Sequence, residues 1–97
     1  MRDVLWYLLA GTRSGPNRAR IIRALDERPR NANQLADALD LDYKTVRHHL
    51  DVLVENDVLT RAGDGYGAVY RVSDRARKRW EIVTEVLDAV EDDDHSS

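Results

Sequence analysis

The clearest hydrophobic pattern in this chain lies in residues 43–56, where apolar and polar positions separate onto two sides of a predicted helix. On a wheel of about 100° per residue, one side contains Val46, His49, Leu50 and Leu53. The opposite side contains Lys44, Arg47, His48 and Asp51. The first side is expected to pack on a core, and the second is expected to face outward.

Another helix is predicted just before this one, with only two residues between them. Asn31 followed three residues later by Gln34 is a capping-box pattern, in which each side chain bonds a backbone N–H of the helix start. Asp42 is a good N-cap for the following helix, which leaves Asp40 and Leu41 as the connection. A connection this short favours a helix-turn-helix pair over an open loop.

Two further helices are predicted near the start of the chain. Residues 3–10 form a short apolar segment that is expected to pack on the body or on a second subunit. Pro16 suits the first position of a helix that runs to about Glu27. This helix is expected to bury Ile21, Ile22 and Leu25. It is expected to expose Arg18, Arg20 and Arg23.

Two short strands around a glycine-rich loop are predicted after the helix pair. Val58–Ala62 and Ala68–Val72 have strand-like composition, and the five residues between them include three glycines. The pattern predicts a flexible hairpin with Tyr66 at its tip and Arg61 and Arg71 beside it. These glycines do not form a phosphate-binding loop, because no GxxxxGKS or GxxxxGKT sequence is present.

The last helix is expected to begin at Ser73 or Asp74 and to continue to about Glu91, before a disordered acidic tail. Its apolar stripe consists of Ala76, Trp80, Val83, Leu87 and Val90. A domain this small has little surface with which to bury such a stripe, whereas a second copy could cover it. The sequence therefore favours a homodimer with an interface containing Leu5, Leu8, Leu9, Trp80, Val83, Leu87 and Val90. In the alternative, the stripe packs on its own domain.

The net charge of −3 conceals an uneven distribution of charge. Residues 1–80 carry 15 Lys and Arg against 11 Asp and Glu, whereas residues 81–97 carry 7 acids and no Lys or Arg. The body is therefore basic, as a phosphate-binding surface requires. The absence of cysteine excludes a disulfide framework. No signal peptide or membrane span is predicted, so a cytoplasmic protein is the simplest interpretation.

The sequence YKTVRHHLDVLVENDVL resembles the recognition helix and following strand of ArsR-type winged-helix transcriptional regulators. His49-Leu50 matches the His-Leu pair of that family, and Asp57 stands where the family usually has glycine. The likeness covers roughly residues 16–72, and NANQLA followed by LDYKTVRHHL resembles the small archaeal members. A content of 13 Arg to 2 Lys and 13 Asp to 5 Glu further resembles proteins of extreme halophiles.

The predicted fold is mainly α with a small β-hairpin, a winged helix-turn-helix with terminal helices in a dimer interface. Residues 1–12 would form an N-terminal helix, 13–73 the winged helix-turn-helix domain, 74–91 a dimerisation helix and 92–97 the tail. The resemblance implies a recognition helix at 43–56 that carries Tyr43, Lys44, Thr45, Arg47 and His48. Contacts from the wing or to phosphate are expected from Arg30, Asn31, Asn33, Gln34, Arg61, Tyr66 and Arg71.

The sequence therefore favours a transcriptional regulator that binds an inverted-repeat site on double-stranded DNA as a homodimer. Lys44 and Arg47 could instead belong to an ordinary solvated helix face, and capping alone would explain Asn31 and Gln34. The alternative function is a winged-helix module that binds protein in the transcription machinery. No catalytic residues, metal site, cofactor or small-molecule effector are inferred, and target genes and the direction of regulation stay open.

Overall fold

Helical segments alternate with three short strands along the chain. The structure, a computed structural model, describes the backbone of residues 1–95 and the side chains of residues 1–91. The helices are α1 (Arg2–Leu5), which continues as a π-helical turn (Trp6–Ala10), α2 (Gly15–Glu27), α3 (Ala32–Leu39), α4 (Tyr43–Glu55), α5 (Asp74–Lys78) and α6 (Trp80–His95). The strands are β1 (Arg30–Asn31), β2 (Leu59–Ala62) and β3 (Val69–Val72). The predicted fold class, mainly α with a small hairpin, is confirmed.

The three strands form an antiparallel sheet in the order β1-β3-β2. Within the hairpin, Thr60 pairs with Arg71 and Arg61 pairs with Tyr70. The strand β1 joins the other side of β3 through Arg30, which also pairs with Tyr70. The hairpin was predicted, but β1 was not, since a strand of two residues is too short to produce an alternating pattern.

The core contains the apolar faces of α2 and α4, as the sequence predicts, and one polar side chain that was expected on the surface. Ile21, Ile22 and Leu25 of α2 and Val46, His49, Leu50 and Leu53 of α4 are all buried. That polar side chain is Arg18, which is only 6% exposed. Its guanidinium group makes two hydrogen bonds inside the protein, which are described below, and these satisfy part of its donor capacity.

The N-terminal segment (residues 2–10) covers the apolar stripe of α6. Leu5, Leu8 and Leu9 are at most 2% exposed, and the segment packs against both α2 and α6. On α6, Val83, Leu87 and Val90 are likewise buried within the single chain, and Trp80 is half-buried. Of the two alternatives, cover by a second copy or by its own domain, the structure shows the second for the buried residues of the stripe. The stripe packs on its own domain, so its burial gives no reason to place a dimer interface there.

Ion pairs attach the terminal helices to the body around this apolar contact. Arg2 pairs with Glu85, and a guanidinium nitrogen of Arg23 lies 2.7 Å from both Asp88 and Glu91. The acids of α6 thus neutralise basic residues of α1 and α2. Such exposed pairs add little stability individually, typically about 0–1 kcal/mol each.

The last predicted helix is interrupted near Arg79, so the structure has the two helices α5 and α6 in its place. Ser73 caps α5 by accepting a hydrogen bond from the Ala76 N–H, as predicted. The helix α6 continues to His95 instead of ending near Glu91. Part of the predicted disordered tail, residues 96–97 and the side chains from 92 onward, lies outside the described residues. None of the described helices has the length and apolar character needed to cross a membrane.

Candidate nucleic-acid interface

The turn between α3 and α4 is built by capping residues. The predicted capping box is present, because Asn31 accepts from the Gln34 N–H and Gln34 accepts from the Asn31 N–H, both at 2.8 Å. The helix α3 ends at Asp40, whose φ of 54° is the left-handed conformation that reverses the chain. Asp42 then caps α4 by accepting from the N–H groups of Lys44 and Thr45. The start of α4 is therefore fixed in direction by hydrogen bonds.

The outward side of α4 is largely bare, as the sequence predicts. We call Tyr43, Lys44, Thr45, Arg47 and His48 the recognition face. Lys44, Thr45 and His48 are exposed, whereas Tyr43 and Arg47 are half-buried. Within residues 1–91, no carboxylate forms an ion pair with Lys44 or Arg47. The described carboxylates therefore leave Lys44 and Arg47 without an ion-pair partner.

Arg47 is less free than the sequence suggested. One of its terminal nitrogens donates to the Tyr43 hydroxyl at 3.1 Å, and its guanidinium carbon lies 6.0 Å from the centre of the Tyr43 ring. The hydrogen bond with Tyr43 is the main reason that the pKa of Arg47 is raised above its usual value. Arg47 thus stays charged, and Tyr43 limits the directions in which its guanidinium can point.

The wing (residues 59–72) lies next to the recognition face. Tyr66 at its tip is 76% exposed, yet its ring centre is 5.8 Å from that of Tyr43 at a tilt of 34°. This distance is typical of paired aromatic rings. Arg61 and Arg71 are also exposed, and Arg71 has Asp74 at 3.4 Å. The sequence placed Tyr43 and Tyr66 in separate elements, and nothing in their spacing of 23 residues predicted this contact.

The predicted phosphate-binding residues at the start of α3 are mostly engaged within the protein. The side chain of Arg30 is only 12% exposed and pairs with Glu27 at 3.0 Å. The capping box occupies Asn31 and Gln34, as the capping interpretation requires. Asn33 is exposed. The structure therefore brings Tyr43, Arg47 and Tyr66 together, whereas Arg30 is half-buried and paired with Glu27, and its contact with DNA stays a prediction.

Sequence comparison identifies the family to which this arrangement belongs. A family model described as "Helix-turn-helix domain" matches residues 14–62, half of the chain. The chain belongs to the helix-turn-helix domain family. The matched residues include both helices of the helix-turn-helix unit and the first strand of the wing. No curated protein matches the sequence.

Solved structures share the fold of this helix-turn-helix protein. MarR of Staphylococcus aureus, in complex with salicylate and kanamycin, is 18% identical, with a TM-score of 0.64 over 82% of this chain and 56% of that chain. The transcriptional regulator HlyU of Vibrio vulnificus is 18% identical, with a TM-score of 0.66 over 87% and 78%. A possible transcriptional regulator of Methanosarcina mazei is 23% identical, with a TM-score of 0.58 over 97% and 82%. The chain spans little more than half of the MarR chain, and these likenesses concern the fold.

A buried polar contact behind the recognition face was missed by the sequence interpretation. The Arg18 Nε donates to Nδ1 of His49 at 3.2 Å, and a terminal nitrogen of Arg18 donates to the Leu8 carbonyl oxygen at 3.2 Å. Burial, together with the nearby charges of Arg18 and His48, lowers the pKa of His49. Leu8, Arg18 and His49 lie far apart in the sequence of this helix-turn-helix protein, so their contact is visible only in the folded chain.

Proposed function

We propose that this protein is a DNA-binding transcriptional regulator that places α4 in the major groove. The observation that carries the proposal is the recognition face, where exposed Lys44, Thr45 and His48 surround the charged Arg47 at the start of α4. In helix-turn-helix proteins, residues near the N-terminus of the second helix contact base edges. The described carboxylates leave the cations of this face unpaired, so their charge is available to DNA.

The side chains of the recognition face suit different contacts. Arg47 and Lys44 can donate to guanine or to phosphate oxygens, and Thr45 can bond a base or touch a thymine methyl. His48 is exposed and can donate or accept. On the wing, Arg61 and Tyr66 would contact the DNA backbone or the minor groove. Arg71 and Asn33 are exposed and would add backbone contacts.

We further propose that the protein binds an inverted repeat as a homodimer, with its two α4 helices about 34 Å apart. Support comes from the N-terminal segment, where Val4, Trp6 and Tyr7 are exposed although they are large and apolar. Grouped exposed apolar side chains favour an interface with another chain. This surface replaces the buried stripe of α6 as the candidate contact between copies.

The dimer can be tested with two tyrosines of similar exposure. Tyr7 is 67% exposed and Tyr66 is 76% exposed, so each can be replaced without opening the core. We expect Tyr7→Glu to yield a monomer by light scattering, and Tyr66→Glu to leave the dimer intact while weakening DNA binding. A dimer that survives Tyr7→Glu would place the interface elsewhere.

The likeness of YKTVRHHLDVLVENDVL to ArsR-type regulators, and the excess of Arg and Asp, support an ArsR-like protein from a salt-rich archaeal cytoplasm. In concentrated salt, counterion release contributes little to DNA affinity. Direct base contacts would then supply more of the binding free energy. DNA binding should accordingly be measured in concentrated potassium salt.

Binding-site selection with the purified protein tests the function. After a preferred site is found, Arg47→Ala should weaken binding to it by about 1–3 kcal/mol and weaken binding to random DNA much less. Arg79→Ala is a matched control, because Arg79 is exposed but lies outside the recognition face and the wing. Equal losses of affinity for the preferred site and for random DNA would indicate that Arg47 contacts phosphate. No binding by the unmodified protein would contradict the proposal and favour the protein-binding module.

A further inference from the structure

Arg18 is buried without a carboxylate partner among the described residues. Its contacts are instead the Nδ1 atom of His49 in α4 and the carbonyl oxygen of Leu8 in the N-terminal segment, each at 3.2 Å. Burial lowers the pKa of Arg18 below its usual value, although guanidinium stays charged at any ordinary pH. A buried cation is costly unless its donors are satisfied, so these two acceptors stabilise it directly.

The contact fixes the protonation state of His49. Guanidinium nitrogens only donate hydrogen bonds, so the Nδ1 atom that Arg18 faces must carry a lone pair. His49 is therefore the neutral tautomer with its proton on Nε2. If His49 took up a second proton, two N–H groups would face each other and two positive charges would be buried together.

The groups around this contact offer no negative charge to a protonated His49. His48, on the same helix, and Arg18, on α2, both disfavour the charged form of His49. From the N-terminal segment, Tyr7 is the titratable group whose electrostatic interaction raises the pKa of Arg18, against the larger effect of burial. Thr12 also donates to the Leu8 carbonyl, at 3.3 Å, which leaves that oxygen with two donors. Protonation would thus break the hydrogen bond between Arg18 and His49.

We propose that Arg18 and His49 are positioning residues that hold α4 in its DNA-binding orientation against the N-terminal segment, and that DNA binding requires neutral His49. This inference rests on the proposed function. His49 is adjacent to His48 of the recognition face, so a displacement of His49 moves the DNA-contacting side chains of the same helix. Through Leu8, the same contact joins α4 to the segment that carries the exposed Trp6 and Tyr7.

The exposed histidine opposes this effect and must be removed from the test. Protonated His48 would add a positive charge to the recognition face and strengthen its attraction to phosphate. The chain has three histidines, so a background protein with His48→Asn and His95→Asn leaves His49 as the only one. Any change in DNA affinity between about pH 7.5 and pH 5.5 then reports mainly on His49, because carboxyl groups titrate lower.

The experiment measures the affinity of this background protein for its selected site by fluorescence anisotropy, with far-UV circular dichroism at each pH. We expect binding to weaken toward the acidic end with unchanged helix content, by at most about tenfold, because pH 5.5 is one unit below the ordinary histidine pKa. Adding His49→Asn supplies an acceptor near the place of Nδ1 that cannot be protonated, and should make binding independent of pH in this window. His49→Leu and Arg18→Met each lack the bond and should bind weakly at both pH values.

Each outcome separates the two proposals. Tight binding at about pH 7.5 that does not change on acidification would overturn the positioning role and leave the DNA-binding function standing. The same applies if His49→Asn keeps the pH dependence, or if affinity falls only in parallel with loss of helix content. The absence of binding by the unmodified protein at every pH would overturn the DNA-binding function, and the positioning role with it.

Discussion

The recognition face differs from the contact between the N-terminal segment and α6 in how its charged side chains are paired. Around that contact, arginines are paired with acids and leucines are buried within the chain. On the recognition face, Lys44 and Arg47 have no ion-pair partner among residues 1–91, and Lys44, Thr45 and His48 are exposed. The negative net charge therefore says little about binding, because Glu85, Asp88 and Glu91 pair with arginines away from the recognition face.

The largest difference between the two regions should appear when a side chain is truncated. Leu87 of α6 is fully buried, so Leu87→Ala should lower the free energy of unfolding by about 2–5 kcal/mol. Lys44→Ala, on the recognition face, should change it by less than about 0.5 kcal/mol. Urea denaturation followed by circular dichroism measures both. Similar effects for the two variants would show that the stripe of α6 is not a core element.

Substitution of two glycines compares how closely the backbone is packed at the N-terminal segment and in the wing. A Cβ atom on Gly15 would lie 1.7 Å from the Leu9 carbonyl oxygen, whereas one on Gly67 in the wing would meet nothing within 4 Å. Gly15→Ala must therefore displace the N-terminal segment and should cost about 1–3 kcal/mol of stability. Gly67→Ala should leave the thermal midpoint nearly unchanged. If both variants melted like the parent, the close approach at Gly15 would be disproved.

Acidification should lower the free energy of unfolding through the protonation of His49. The pKa of His49 in the folded protein lies below its ordinary value of 6.5, so the unfolded chain binds the proton more tightly. The stabilising contribution is complete above about pH 6.5 and is lost as the pH falls through the lowered pKa of the folded state. Urea denaturation at a series of pH values should show this decline, and His49→Asn should reduce it. A decline that persists unchanged in His49→Asn would assign it to other groups.

The N-cap of α4 should give the smallest of these effects. Asp42 accepts from two backbone N–H groups, so Asp42→Ala should cost about 0.5–2 kcal/mol. Asp64 precedes a short turn in the wing and makes no capping hydrogen bond, so Asp64→Ala is a matched control with little expected effect. Thermal denaturation distinguishes the two. Equal midpoints for both variants would mean that the cap contributes nothing to the stability of α4.

Local signals in the sequence predicted most of the elements. The capping box at Asn31, the N-cap at Asp42 and the buried side of α4 depend on residues within one or two turns of helix, and all are confirmed. Asp57, placed where the resembled family has glycine, does adopt the left-handed conformation with φ of 61°. These features are readable because periodicity and capping act over short separations.

Features that depend on distant partners were not predictable in the same way. The apolar stripe on α6 indicated that this side of the helix is buried. Periodicity does not show whether the same chain or a second copy buries it. Arg18 looked like an ordinary surface cation, because its acceptor His49 lies 31 residues away. Arg30 likewise looked exposed, because its place in β1 depends on pairing with the distant Tyr70 of β3.

The ring contact between Tyr43 and Tyr66 couples the hairpin to the first turn of α4. In the proposed DNA complex, a groove that displaced Tyr66 would also remove the ring that contacts Tyr43. Tyr43 in turn holds the guanidinium of Arg47. Under the proposed function, the shape of the groove at the wing and the base contacts of Arg47 would therefore be coupled through Tyr43.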